Sequence, residues 1–244
     1  MPSNPSEIQV IWVYLSGSPL LALFLTLAAY HVGVVAYEKS GRNPIVNPVA
    51  IAVALVAGAI TLIDMPYAKY FDGAQFVHFL LGTATVSLAV PIYRGLKGLG
   101  SRIVPLLVAQ LAGGATSIIS AVSIAALLGA TPEVVGGFYA KSVTAPIGMG
   151  IAERLHVSPT LTAVFAVCTG ILGAILGRYV LDFVHSKAWW QRGFALGIAA
   201  HGIGTSRAFS VNKEAGTYAS LGMGLNGVVG AVLIPLGVRA ALGT

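Results

Sequence analysis

The sequence predicts an all-α membrane protein, a polytopic bundle of about eight helical elements. Hydrophobic residues make up 56% of the 244-residue chain and charged residues only 9%, whereas soluble domains carry about 25% charged residues. The apolar runs are also long and continuous, whereas the strands of a membrane barrel alternate over segments of about 10 residues. Helices are therefore the elements that we expect to cross the membrane.

Five apolar runs have the length of membrane-spanning helices. Several of them begin with proline, which is tolerated in a first helical turn because the missing N–H has no partner there. About 20 apolar residues cross the hydrocarbon core. Each run reaches that length or is only a few residues shorter. The predicted helices cover residues 19–37, 48–63, 103–128, 159–183 and 217–238. We expect 1–244 to form a single transmembrane domain, with 1–18 as an N-terminal interfacial segment.

Three further elements each contain two shorter apolar stretches around a small, polar centre. The elements are 75–93, 133–154 and 189–213, and their centres are 82–85, 141–146 and 201–207. Ten helical residues rise about 15 Å, half the thickness of a bilayer. Each centre should therefore lie near the midplane, as a broken helix or the tip of a re-entrant hairpin, buried in protein or lining a cavity. The three units resemble one another loosely, so an internal inverted repeat stays open.

The basic loop residues indicate the topology. The net charge of +6 lies mostly in short loops, which the positive-inside rule explains without a nucleic-acid partner. If all eight elements span, seven basic residues face one side and five the other; if the Lys141 element is re-entrant, the split is nine against three. It is again nine against three if the Arg207 element is re-entrant as well. The rule favours at least one re-entrant element, and in each case Arg94, Lys97 and Arg102 are cytoplasmic.

The polar centres predict a site for a small anion. Lys141 and Arg207 are the cations furthest inside apolar elements, where a charge costs at least about 2.5–3.5 kcal/mol and is by default functional; snorkelling to an interface is the alternative. No carboxylate lies near the centres, whereas a cation site would normally have carboxylates among its ligands. The other predicted substrate-binding residues supply hydroxyl, amide or backbone N–H groups: Thr83, Thr85, Ser142, Thr144, Gly202, Gly204, Thr205 and Asn226.

His201 adjoins the Gly202–Gly204 break, and two roles for it stay open. Its ring could carry a coupled proton near neutral pH, or it could serve only as a hydrogen-bonding group. The five histidines show no metal-ligand spacing, and the single cysteine, Cys168, is predicted to be a small packing residue in the middle of an apolar helix. Neither a metal nor a cofactor is predicted. With no paired carboxylates and no nucleophile beside a base, the sequence does not predict an enzyme.

The order of several short blocks resembles the LrgB/CidB family, over about residues 19 to 240. The sequence departs from the family at Gly82-Thr83, where the family often has Gly-Pro, and at Thr205-Ser206-Arg207, where it often has Thr-Ala-Arg. The blocks that carry the resemblance are Asn47-Pro48, Phe71 to Phe76, Leu81 to Val86, Leu88 to Pro91, Lys141 to Pro146, His201 to Thr205 and Met223 to Gly227.

This resemblance implies two functions in a bacterial plasma (inner) membrane. One is that of a holin/antiholin-like modulator of murein hydrolase activity and autolysis, working beside a small LrgA/CidA-type membrane partner. The other is transport of small monocarboxylates such as pyruvate, lactate or glycolate, since the plastidic glycolate/glycerate translocator is similar. A site with cations and no carboxylate fits the transporter better. A homodimer also stays open.

Overall fold

The structure, a computed structural model, describes residues 19–87, 89–90, 93 and 100–243. In these ranges it contains nine α-helices, a short 3-10 turn and no strand, which confirms the all-α class. The helices are α1 Pro19–Lys39, α2 Pro48–Leu62, α3 Tyr67–Ser87, α4 Ile103–Leu127, α5 Pro132–Gly137, α6 Ala145–Arg154, α7 Pro159–Phe183, α8 Trp189–Val211 and α9 Lys213–Leu242. The predicted interfacial segment 1–18 lies outside the described residues.

The five predicted helices are confirmed as α1, α2, α4, α7 and α9. Four of them, all but α2, are long and apolar enough to cross a membrane. Polar caps followed by proline set several starts: the Asn47 side chain accepts the N–H groups of Val49 and Ala50, and the Ser158 side chain accepts that of Leu161. These side chains satisfy backbone donors that have no partner inside the helix.

The described chain divides into two compact units, Met1–Ser87 and Leu88–Thr244. A single domain over 1–244 stays a prediction. In the first unit α1 packs against α2 and α3. The Thr26 hydroxyl donates to the Ala22 carbonyl at 2.7 Å, so the Tyr70 hydroxyl, 2.7 Å from Thr26 Oγ1, is the donor of the bond between α1 and α3.

The predicted break at 82–85 is wrong, because α3 continues through it to Ser87. The sequence here contains no proline, and the Thr83 hydroxyl donates to the Leu80 carbonyl at 2.8 Å, inside its own helix. A threonine that bonds back in this way is compatible with a continuous helix. Two of the three predicted elements are therefore broken, both in the second unit. Part of the predicted element 75–93 lies outside the described residues.

Helix α8, which we call hairpin II (189–211), reverses its direction at His201. This residue has φ 39° and ψ −128°, far from helical geometry. A Cβ added at Gly204 would lie 2.7 Å from the carbonyl oxygen of Leu196, although eight residues of straight helix would separate the two by about 12 Å. The limbs 189–200 and 202–211 therefore fold against each other, and both open to the same side of the unit.

Helix α9 runs beside the first limb of hairpin II in the same direction. Gly193 packs against Ala215, and Gly197 packs against Ala219 one turn further along both helices. Such close contact of backbones needs small residues, as the spacing of these two glycines predicts. Helix α7 passes the same limb in the opposite direction, with Gly173 against Ala200.

The elements α5 and α6 form a second hairpin, hairpin I (132–154). A Cβ added at Gly148 would lie 3.2 Å from the Ala140 carbonyl, and one at Gly136 would lie 2.6 Å from Val157, just beyond α6. The chain therefore returns along itself. Its turn at 138–144 is non-helical, as the sequence predicts for the Lys141 centre.

The two hairpins open to opposite ends of α9. The base of hairpin I lies with Val238 and Arg239, because Pro132, Val157 and these residues line one cavity. The base of hairpin II lies with Ala215 at the other end. This opposed arrangement is what an inverted repeat requires.

The charges of the described residues in the second unit orient it in the membrane. The hairpin II end carries five basic residues, and the hairpin I end carries Arg154 and Arg239. The positive-inside rule therefore makes the hairpin II end cytoplasmic, in agreement with the predicted side of Arg102. The predicted cytoplasmic residues Arg94 and Lys97 lie outside the described part. The five basic residues at the hairpin II end are Arg102, Arg178, Lys187, Arg192 and Lys213.

Candidate functional site

The tips of the two hairpins meet at Asn226, near the middle of α9. The amide nitrogen of this buried residue donates to the Ser142 carbonyl at 2.7 Å and to the Ile198 carbonyl at 3.3 Å. Its amide oxygen accepts from Gln110 Nε2 at 2.7 Å. One side chain thus ties together hairpin I, hairpin II and α4. Two of the three predicted centres therefore converge at the depth of the middle of α9.

Lys141 lies half-buried at the tip of hairpin I. Its ammonium group donates to Ser117 Oγ at 2.8 Å and to Ser142 Oγ at 3.2 Å. The ion pairs of the described residues do not include Lys141. A buried charge without a counter-ion is costly. The tip therefore favours an anion that would neutralise this ammonium group.

The cluster around Lys141 has hydrogen-bond donors left over. The hydroxyl oxygens of Ser117 and Ser142 lie 2.7 Å apart, so one donates to the other and the second hydroxyl hydrogen stays available. Two of the three ammonium donors are used. Three residues on, the buried Thr144 hydroxyl has no hydrogen-bond partner among the described residues. Around Lys141 itself the surplus consists of donors, which suits an anionic ligand, although the buried amide oxygen of Gln110 is an acceptor without a partner among the described residues.

Two helical segments also have their N-termini at the hairpin tips. Helix α6 starts at Ala145, after Thr144, which makes no side-chain cap bond. The second limb of hairpin II starts just after His201. The N-terminus of a helix carries free N–H groups and partial positive charge, and both favour anions. Some carbonyls at the tips are occupied, since the Asn226 amide bonds that of Ser142 in the turn of hairpin I and that of Ile198 near the end of the first limb of hairpin II.

The ring of His201 is buried against α7. His201 Nε2 lies 2.8 Å from the Ala166 carbonyl oxygen. Because a carbonyl can only accept, Nε2 is the donor, and Nδ1 of a neutral ring is left as an acceptor. The left-handed backbone of a non-glycine residue is strained, and such strain is common at functional sites. This geometry is compatible with both predicted roles of His201.

Several other predicted site residues take structural positions. The Thr205 hydroxyl donates to the His201 carbonyl at 2.8 Å, which fixes the turn. Gly204 lies in the contact between the two limbs, whereas Gly202 has open space, with Met223 Sδ 3.9 Å from an added Cβ. In the first unit, Thr83 lies exposed on α3, and Thr85 belongs to the same helix.

Arg207 is not part of the tip cluster, our name for the polar side chains of Gln110, Ser117, Lys141, Ser142, Thr144 and Asn226. It lies six residues beyond His201, about 9 Å along the second limb, and it lines a separate cavity of about 510 Å³ at the base of hairpin II. Arg207 thus lies beside a cavity, but the structure does not bring it together with Lys141. Cys168, predicted to be a small packing residue, is instead exposed on α7.

Sequence reasoning missed two residues of the tip cluster, Ser117 and Gln110. Both lie on α4, seven residues apart and therefore on one face of the helix. Gln110 is only 1% exposed. Two polar residues at this spacing inside an apolar helix indicate a face that points into the protein, and this pattern could have identified them.

Comparisons with known proteins point to one family over most of the chain. The sequence model of the LrgB-like family matches residues 26–240. A protein named holin-like protein CidB, from Staphylococcus epidermidis, is 28% identical over 217 residues, which are 89% of this chain and 94% of that protein. Proteins named only as uncharacterized include YxaC of Bacillus subtilis, 32% identical over 217 residues (89% of this chain, 94% of YxaC). No solved structure matches the chain.

Proposed function

This chain belongs to the LrgB-like family, and we propose that it carries small monocarboxylate anions across the membrane of a bacterium. The observation that carries the proposal is the tip cluster, where Lys141 is bonded to two serine hydroxyls and to no carboxylate of the described residues. The chain is a multi-pass membrane protein, so an anion site at mid-depth has a direct use in transport.

The chemistry of the tips supports a small carboxylate as the substrate. Lys141, Ser142 and Thr144 offer one charge and several donors at one place, which suits a single carboxylate group. The N-termini of α6 and of the second limb of hairpin II add N–H groups. Ser117 positions Lys141 from α4. Two- and three-carbon acids such as glycolate, lactate and pyruvate match this set, and His201 is the candidate for proton coupling.

A second function, that of a holin/antiholin-like modulator of autolysis, is favoured by a different observation. The relatives that carry a functional name are called holin-like, and that name supports this alternative more directly than transport. In that case the chain would act beside an LrgA/CidA-type partner and would release solutes without selecting for charge. The two functions differ in whether Lys141 discriminates between solutes.

Uptake of labelled glycolate, pyruvate and lactate into proteoliposomes tests the proposal, with and without an LrgA/CidA-type partner. We expect saturable uptake in which the three acids compete and which sodium does not drive. Lys141→Gln should abolish it, and Lys141→Arg should retain part of it. Lys69→Gln, which removes a lysine of the first unit, should behave as wild type. Uptake that is absent under both conditions, or insensitive to Lys141→Gln, would contradict the proposal.

A further inference from the structure

The cavity at the base of hairpin II is a second concentration of positive charge, separate from the tips. It lies between the C-terminal end of α7 and the two limbs of hairpin II. We call it the basic vestibule. Its charged and aromatic lining residues are Arg178, Asp182, Lys187, Trp189, Arg192 and Arg207.

The lining carries more positive charge than its one carboxylate can neutralise. Asp182 receives Arg192 Nη1 at 2.7 Å and lies 3.7 Å from Arg178 Nε. Arg207 has a further interaction of its own; without it, Arg178, Lys187 and Arg192 still face one acid among the described lining residues, an excess of two positive charges. Clefts lined by charge of one sign concentrate ligands of the opposite sign.

The kind of base indicates the kind of ligand. Three of the four bases are arginines, whose planar guanidinium groups bind carboxylate and phosphate oxygens in pairs. The Arg192 guanidinium is held in place, because it also donates to the Ser186 carbonyl at 2.8 Å and lies 5.8 Å from the centre of the Trp189 ring. A fixed guanidinium loses less entropy when it binds an oxyanion.

The size of the vestibule exceeds what a two- or three-carbon acid needs. Its volume is about 510 Å³, within the range of about 300–1,000 Å³ typical of sites for much larger ligands. We infer that the basic vestibule is a cytoplasmic binding site for a phosphate group, distinct from the anion site at the tips. The phosphate belongs either to a soluble phosphate ester or to the headgroup of an acidic lipid.

Trp189 provides a readout that does not depend on transport. Purified protein in nanodiscs of phosphatidylcholine is titrated with inorganic phosphate and with glycerol 3-phosphate, against chloride at equal ionic strength. We expect a saturable change in tryptophan fluorescence that is lost in Trp189→Phe. Arg207→Gln and Lys187→Gln should each weaken the phosphate affinity at least about tenfold, since each removes a charged contact. Arg239→Gln, at the opposite end of the unit, should not.

Two further arms separate the source of the phosphate and the identity of the site. If phosphatidylglycerol in the nanodisc produces the same change and suppresses the response to glycerol 3-phosphate, the lipid is the occupant. Lys141→Gln should leave the response intact even where it abolishes uptake. The inference is overturned if neither source produces a change beyond chloride, if Lys187→Gln and Arg207→Gln both bind as wild type, or if Lys141→Gln removes the response.

Discussion

At the scale of single residues, the central feature is how the Lys141 ammonium group is held. Its ammonium group is held by two hydroxyls rather than by a carboxylate, so its charge remains available to a ligand. A carboxylate partner would have made Lys141 half of a structural ion pair. Ser117 is the residue that makes this arrangement work, because it bonds both Lys141 and Ser142 from a different helix.

Replacing Ser117 with alanine tests this positioning role. Ser117→Ala removes a hydrogen bond to a charged group, which is worth about 1.5–3 kcal/mol. We expect uptake at low substrate concentration to fall at least about tenfold, while the amount of inserted protein stays unchanged. The matched control is Ser120→Ala, an exposed serine on the same helix that bonds only a carbonyl of its own helix, at 3.4 Å. Equal uptake in the two variants would remove Ser117 from the site.

How much of the site could be predicted differs from residue to residue. Lys141 and Asn226 could be found because a charge or an amide inside an apolar element is rare. Ser117 could not, because its role depends on which face of α4 meets hairpin I. The separation of Arg207 from Lys141 could not be predicted, because sequence alone does not show that the second limb of hairpin II returns toward Trp189.

At the scale of elements, the two hairpins are the defining feature. Their half-length limbs follow from apolar stretches of about ten residues, and the breaks at Lys141 and His201 follow from small and polar residues. The break predicted at 82–85 failed because the same kinds of residue are compatible with a continuous helix when a threonine bonds back to its own turn.

Labelling of single cysteines tests whether hairpin II is re-entrant. In a Cys168→Ala background, His185→Cys and Lys213→Cys stand just before and just after α8. We expect a membrane-impermeant thiol reagent to reach both from the cytoplasmic side only. The companion pair, Glu133→Cys in the first turn of hairpin I and His156→Cys just after it, should react from the other side. If His185→Cys and Lys213→Cys react from opposite sides, α8 spans the membrane and the hairpin assignment is wrong.

The packing of hairpin II against α9 makes a separate prediction about stability. A Cβ added at Gly197 would collide with the backbone at Ala219, and overpacking of this kind costs about 1–3 kcal/mol. We expect Gly197→Ala to lower the thermal unfolding temperature in detergent. Gly150→Ala is the control, because nothing lies within 4 Å of the added Cβ in α6, and alanine is the better helix former. A Gly197→Ala variant as stable as Gly150→Ala would contradict this packing.

At the scale of the second unit, two hairpins enter from opposite ends and their tips share one residue of α9. The anion site that we propose would lie at mid-depth, with a hairpin between it and each face of the membrane. A charge-selective carrier needs such a site, whereas a pore that passes any small solute does not. The central claim is therefore that Lys141 makes passage depend on the charge of the solute.

Release of three solutes of similar size from liposomes tests that claim most directly. The vesicles are loaded with labelled glycolate, its neutral amide glycolamide, and the cation ethanolamine, and they contain the protein with or without an LrgA/CidA-type partner. We predict that glycolate alone leaves faster than from protein-free vesicles, and that Lys141→Gln abolishes this difference. If all three solutes leave at similar rates through the wild-type protein, the chain forms a non-selective pore and the account is contradicted.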